Sequence, residues 1–537
     1  MFAAIIRLQE KPAGQEAMRV PAGVPPDGEP DKMLAVIARG GLVSGARCRG
    51  LFSGKAHMMT RLSLVMLLSL RASLALAAAP QPGSPKPPSG EGGTMRVDYY
   101  HTGNVNEERF SLDRVVLEPL PWPGNPSRPI DETNRGKYFF EVADAASGKT
   151  LFSRGFSSIY GEWETTGEAQ EQNRTFSESL RFPAPATPVR IVVKKRDAKN
   201  VFHDIWSVTV DPADTFVEKM GKAPRGIGPI YRIRASGEPE KKLDVLILGD
   251  GYTVAERGKF QRDAKKLSDI LLATEPFASR RADINVWGLS PAAEESGVSR
   301  PSQGIYRRSP VGVTYDAFGT ERYALTFENK AFRDIAANAP YDVVEILMNS
   351  RTYGGGGIFG LYSTVAADSL WAPYVFVHEF GHHIAGLADE YYTSDVAYLP
   401  ATDRVEPWEP NVTALVDPNT LKWKDLVAAG TALPTPWPKE EFERHAKDAQ
   451  DKRKAIRANN GPEAEMDALM LDQEKFDTSL LNEGAHAHTV GAFEGANYEA
   501  RGYYRPQADC IMFTRDNVPF CLVCRRAIEQ TLDLYTR

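Results

Sequence analysis

The run His378-Glu379-Phe380-Gly381-His382 restricts the local fold more than any other stretch of this chain. Two histidines four apart meet on one face only if the backbone is helical, where they lie one turn apart. Rings placed that way can share one Zn²⁺ at about 2.0–2.1 Å each. Glu379 follows the first histidine, so its carboxylate reaches a water on the metal rather than the metal itself. The flanks agree with a helix. Ala372 to Phe376 are mostly apolar, and Pro373 suits a first turn. Gly386 stands where a helix ends in a left-handed residue, so the chain must turn just past His382. Asp389 and Glu390 return three and four residues after that glycine, and one of them completes a three-ligand set with an open fourth position. Asp389 is the preferred third ligand and Glu390 the alternative, the other acid then holding a histidine tautomer. His383 sits about 100° around the helix from His382 and is expected to be packed rather than liganded.

Length, composition and order place this motif in a larger plan. A chain of 537 residues suffices for two or three domains. With 42% hydrophobic and 25% charged residues it can bury a core, and a net charge of −6 lacks the basic field of a nucleic-acid binder. Residues 1–57 have no sustained period and read as a non-native extension, with translation starting at Met58 or Met59. Residues 58–79 have a charged start, an apolar run broken by Arg71, and small residues at the end, which predicts an export signal peptide. The run is too short for a membrane span of about 20 residues, so no stable membrane insertion is expected and the protein is predicted to be secreted or periplasmic. Residues 80–94, rich in Pro, Gly and Ser, predict a linker.

Residues 95–215 predict an all-β sandwich. Short apolar or alternating runs recur at 95–100, 110–117, 137–142, 150–157, 175–182, 189–194 and 205–210, separated by turn residues. No catalytic constellation lies among them, so this domain is expected to position or support the rest. Residues 226–537 predict an α/β domain. Strands are expected at 243–250, 284–289 and 343–349, and helices at 254–274 and within 318–338. Residues 440–477 predict a charged helical region, and 527–535 a closing helix. The Trp-bearing and Pro-rich stretch 391–433 is a candidate cleft wall. Asp250-Gly251 follows a strand, but no phosphate-binding glycine pattern accompanies it. His486 and His488 alternate as on a strand, off the helical metal face. Of the four cysteines, Cys510, Cys521 and Cys524 cluster. A zinc site built on them lacks an evident fourth ligand, so in an exported protein a disulfide, Cys510–Cys521 or Cys510–Cys524, is the simpler expectation.

HEFGHHIAGLADEY, with Asp509-Cys510-Ile511-Met512-Phe513 and Pro519-Phe520-Cys521-Leu522-Val523-Cys524, resembles the signature of the IgA-type zinc metallopeptidase family over residues 95–537. That family is similar to the metzincins, whose pattern is HExxHxxGxxH with a later Met-turn. Here one residue is added before the glycine and an acid replaces the third histidine, as in the IgA-type family. The resemblance implies a metzincin-like peptidase domain behind an N-terminal β-domain, with Met512 as an apolar floor beneath the zinc. It also implies that residues 354–364 form an edge strand beside the active helix that binds peptide by strand addition, their glycines admitting a substrate backbone. A tyrosine near the Met-turn would steady the oxyanion, with Tyr504 as the candidate ahead of Tyr503. Family membership does not imply that immunoglobulin A is the substrate.

The function expected is that of a secreted zinc endopeptidase acting on protein or peptide. His378, His382 and Asp389 hold the ion, and Glu379 is general base. The competing expectations are a non-catalytic binding protein with a structural zinc, against which an intact Glu379 argues, and a zinc amidase acting on cell-wall peptide.

Overall fold

The computed structural model describes residues 92–221, 227–394, 396 and 404–536. The expected extension, signal segment and most of the linker lie outside the described residues, as does Cys48. Among the described residues no helix is long and apolar enough to cross a membrane.

The N-terminal part is β-rich. Its strands are β1 (Gly93–Gly103), β2 (Glu108–Pro121), β3 (Tyr138–Asp144), β4 (Thr150–Phe156), β5 (Arg174–Pro183), β6 (Val189–Arg196), β7 (Phe202–Val210) and β8 (Val217–Lys219), with a short helix α1 (Ile159–Trp163) after β4. They form two four-stranded sheets, ordered β5-β1-β2-β8 and β4-β3-β6-β7. Alternating residues from both, such as Val97, Tyr99, Phe140, Val142, Ile191 and Val193, fill one core, as a period of two dictates for paired sheets. The seven expected strands are all present. The eighth, β8, runs parallel to β2 and carries the sheet past residue 215.

The C-terminal part is mixed α/β. It contains β9 (Ile230–Arg234), β10 (Leu243–Asp250), α2 (Arg257–Leu271), β11 (Ile284–Leu289), β12 (Val313–Thr314), β13 (Leu325–Thr326), α3 (Asn329–Ala336), β14 (Val343–Met348), β15 (Gly355–Ile358), β16 (Tyr362–Ala366) and α4 (Ala372–Ala385). Helices α5 (Lys439–Ala458) and α6 (Glu463–Asn482), the hairpin β17 (Phe493–Ala496) and β18 (Glu499–Arg505), and α7 (Leu522–Tyr535) complete it. The main sheet is ordered β15-β16-β14-β10-β11-β9, parallel at its centre and antiparallel at both ends. Every residue of β10 is buried because both sheet faces are covered. Val245 and Ile247 face a core shared with α2, α4 and α7. Leu246 and Leu248 face another that includes α3 and α1. The capping box Thr253/Glu256 leads into α2 through one tight turn. The charged region 440–477 is two helices, because Asn460-Gly461-Pro462 breaks the run.

The two parts are joined by buried charge. Arg96 is fully buried and reaches Asp98, Glu118 and, on α3, Asp334 at 2.5 Å. Arg181 pairs with Glu118 and lies over the Tyr341 ring at 3.6 Å. Arg135 donates to the Ala527 carbonyl and Thr531 hydroxyl of α7. Two backbone bonds, Ser157 N–H to Phe359 O at 2.8 Å and Gly360 N–H to His383 O at 3.0 Å, link the sandwich to the end of α4.

Within the sandwich, His101 lies between Glu178, 3.0 Å from Nδ1, and Glu108, 2.9 Å from Nε2. Burial disfavours the imidazolium, but the two carboxylates outweigh it and raise the His101 pKa. A raised folded-state pKa contributes stability that is complete below the unfolded value of about 6.5 and disappears as pH climbs through the folded value. His101→Gln should therefore cost more folding free energy at about pH 5.5 than at about pH 9, measured by urea unfolding of both proteins. An equal cost at both values would refute the charged pairing.

Candidate metal centre and cleft

Helix α4 is the frame of the site. It is apolar nearly all round and buried under the sheet. Gly386 ends it at φ 60°, ψ 40°, its N–H donating to the His382 carbonyl at 3.0 Å. A Cβ there would meet the Trp408 ring at 2.6 Å, so the turn needs glycine for both conformation and space.

The turn brings Asp389 back over the helix. His378 Nε2 and His382 Nε2 are 3.1 Å apart, and Asp389 Oδ1 is 3.0 Å and 3.2 Å from them. Three donors at the corners of one coordination tetrahedron with bonds of 2.0–2.1 Å would be about 3.3–3.4 Å apart, so this set fits a divalent ion. Each ring is aimed by a carbonyl. His378 Nδ1–H donates to Ile511 O at 2.8 Å, and His382 Nδ1–H to Leu387 O at 2.6 Å. Both Nε2 lone pairs are thereby left for a metal. In the absence of an ion, protons on the two rings outweigh the burial that disfavours the Asp389 anion and hold its carboxyl well below the usual range.

The second candidate acid behaves differently. Glu390 turns away from the histidines, and its Oε1 accepts from Asn411 Nδ2 at 2.9 Å. It orients neither histidine, since backbone carbonyls do that. Glu379 lines the cleft, and burial raises its carboxyl pKa, with the imidazoles of His378 and His382 opposing the rise. His383 is buried, points to Glu345 3.5 Å away, and is kept neutral by burial, which lowers its pKa to about 3.

Tyr504 does not come to the site. It lies in β18, exchanges backbone bonds with Thr413, and its ring is in the core beneath Arg404. The hairpin brings Tyr498 instead. Its hydroxyl donates to Asp389 Oδ2 at 2.5 Å. Tyr498 and Asn497 form the hairpin tip at φ 65° and 54°, an unfavourable region for tyrosine. The tip is held by Asn497 N–H to Asp389 O at 3.0 Å and Tyr498 N–H to Tyr391 O at 3.1 Å. The signal in the sequence was the Asn between two strand-like runs, which marks a turn but says nothing of where its tyrosine points. His486 and His488 fall in a turn after α6 rather than on a strand, and belong to neither group of converging metal-ligand atoms among the described residues. Met512 is fully buried under α4, its Sδ 3.2 Å from where a Cβ of Gly381 would stand.

The glycine run is the edge strand β15, as expected, and its glycines also serve a second purpose. A Cβ on Gly357 would lie 2.4 Å from the Glu379 carbonyl, and one on Gly355 would lie 2.7 Å from Val375. The glycines let the strand touch α4. The outer edge at Gly355 is already taken, since its N–H donates to Arg322 O and its C=O accepts from Ala324 N–H. Strand addition by a substrate is thus blocked at Gly355. The cleft beside β15 has a volume of about 590 Å³ and is walled by both parts of the chain, including Lys137, Arg196, Trp408, Tyr498 and Tyr503. Trp423 and Trp437 are not among its lining residues.

Two substitutions test this geometry. Gly357→Ala should destabilise the fold by about 1–3 kcal/mol through overpacking against α4, read by denaturant unfolding. Tyr498→Phe should leave the fold intact and lower affinity for Zn²⁺ by about 10–100-fold, read by competition with a chromogenic chelator. Unchanged affinity would show that Asp389 needs no support from Tyr498.

A family model described as IgA Peptidase M64 matches residues 231–532, more than half of the chain. A second, described as Peptidase M64 N-terminus, matches residues 90–207. No curated protein matches the chain. The chain therefore belongs to the IgA peptidase M64 family, a family of metallopeptidases.

Proposed function

We propose that this protein is an exported zinc endopeptidase, with His378, His382 and Asp389 as metal ligands and Glu379 as general base. The observation that carries the reading is the convergence of three ligand atoms within 3.0–3.2 Å of one another beside Glu379 in an open cleft. Two imidazoles and one carboxylate suit zinc and leave a fourth position free. Zinc held there supplies Lewis acidity to the scissile carbonyl and acidifies water.

The protein groups do the rest. Glu379 accepts a proton from water as its oxygen attacks the carbonyl carbon, and returns that proton to the amine nitrogen as the C–N bond breaks. Asp389 stays anionic, and Ile511 and Leu387 keep both histidines in one tautomer. The burial of Met512 beneath α4 supports reading it as an apolar floor for the site. The β-rich part supplies one wall of the cleft and so shares in positioning a polypeptide. Export is supported by the signal-like pattern of residues 58–79.

Glu379→Gln should lower cleavage of casein or a peptide library by about 10²–10⁴-fold while metal content stays at the parent level. Chelation should abolish cleavage by the parent, and Zn²⁺ should restore it. Cleavage by Glu379→Gln at the parent rate would overturn the mechanism.

A further inference from the structure

We infer that Glu390, Cys510, Cys521 and Cys524 form a second metal site, a closed structural one that takes a zinc-class divalent ion. The four side chains come from three separate stretches of chain, and each is at most 4% exposed. One ligand atom from each lies within 4.8 Å of all the others. Cys510 Sγ and Cys524 Sγ are 3.9 Å apart, and Cys524 Sγ is 3.3 Å from Glu390 Oε1. A tetrahedral ion with bonds of about 2.3 Å to sulfur and 2.0–2.2 Å to oxygen requires edges of about 3.8 Å and 3.6 Å. A disulfide would need its two sulfurs at about 2.05 Å and would leave the third thiol and the acid without a role.

The surroundings point the same way. All three cysteines are free and buried, contrary to the disulfide expected of an exported chain. Backbone N–H groups are turned toward sulfur: Met512 and Cys521 donate to Cys510 Sγ at 3.5 Å and 3.2 Å, and Cys524 to Cys521 Sγ at 3.4 Å. Cys521 and Cys524 stand at the start of α7, where such donors are unsatisfied by the helix. Glu390 Oε2 is buried and has no hydrogen-bond partner among the described residues. An orphaned carboxylate oxygen beside three sulfurs is costly unless a cation is held there. Glu390 is the fourth ligand that the cysteine spacing alone did not supply.

The position gives the site its purpose. Glu390 follows Asp389, and its N–H donates to Met512 O at 2.8 Å. Cys510 precedes Ile511, whose carbonyl aims His378. An ion joining residues 390, 510, 521 and 524 would staple the third ligand of the cleft to the turn beneath it and to α7.

Metal analysis of the full chain should find two zinc ions in the parent and one in the His378→Ala/His382→Ala variant. After cobalt replaces zinc, that variant should keep a sulfur-to-cobalt charge-transfer absorption, which the cleft site, having no sulfur ligand, cannot produce. Adding Cys521→Ser and Cys524→Ser should remove the band. If those serine variants do not fold, the spectrum of the histidine variant decides alone. Alkylation under denaturing, chelating, non-reducing conditions should label all three cysteines. Failure of the histidine variant to hold any metal, absence of the band, or a pair of cysteines resistant to alkylation would overturn the second site. None of these outcomes depends on whether the protein cleaves peptides.

Discussion

One hydrogen bond organises the centre of this molecule: the imidazole of His378 donates from Nδ1 to the carbonyl of Ile511, 133 residues away. A helix places two rings on one face, but it does not decide which nitrogen of each carries the proton. Ile511 decides it for His378, and Leu387, just past the helix end, decides it for His382. The site therefore has a roof made by the turn after α4 and a floor made by the C-terminal turn around Met512. Glu390 links the two through its backbone N–H and, with Cys510, Cys521 and Cys524, through the converging sulfur and oxygen atoms.

The β-rich part is not an appendage. Arg96, Asp98, Glu118 and Asp334 are ion-paired across its junction with α3, and charges withdrawn from water keep their cost low only while that pairing geometry is kept. Such a junction favours one relative orientation. The fixed orientation matters because Lys137 and Arg196 from the sandwich face the same cleft as Glu379 and His382. A polypeptide lying in that cleft would contact both parts at once.

Local pattern and tertiary packing divide the site between them in a physically intelligible way. The seven strand-like runs, the buried strand at β10 and the helix bearing His378 and His382 were legible because each is set by periodicity within one element. The bend at Gly386 was legible because only a left-handed residue ends the helix there. The placement of Tyr504 was not, since alternation along β18 does not say which face meets the cleft and which meets the core. The glycine run 354–357 gave its strand but not its reason, which is contact with the Glu379 carbonyl and Val375 of another element.

The sequence by itself determined the helix that sets His378 and His382 on one face, the acid that returns after its glycine, and the all-β then α/β order, because short-range spacing encodes each of them. Only the tertiary structure separated Asp389 from Glu390. Adjacent residues in extended chain point to opposite sides, so one acid faces the histidines and the other faces three cysteines more than a hundred residues away. It alone set Tyr498 on Asp389 and gave the cysteines their fourth partner, since those contacts depend on where distant segments meet in space.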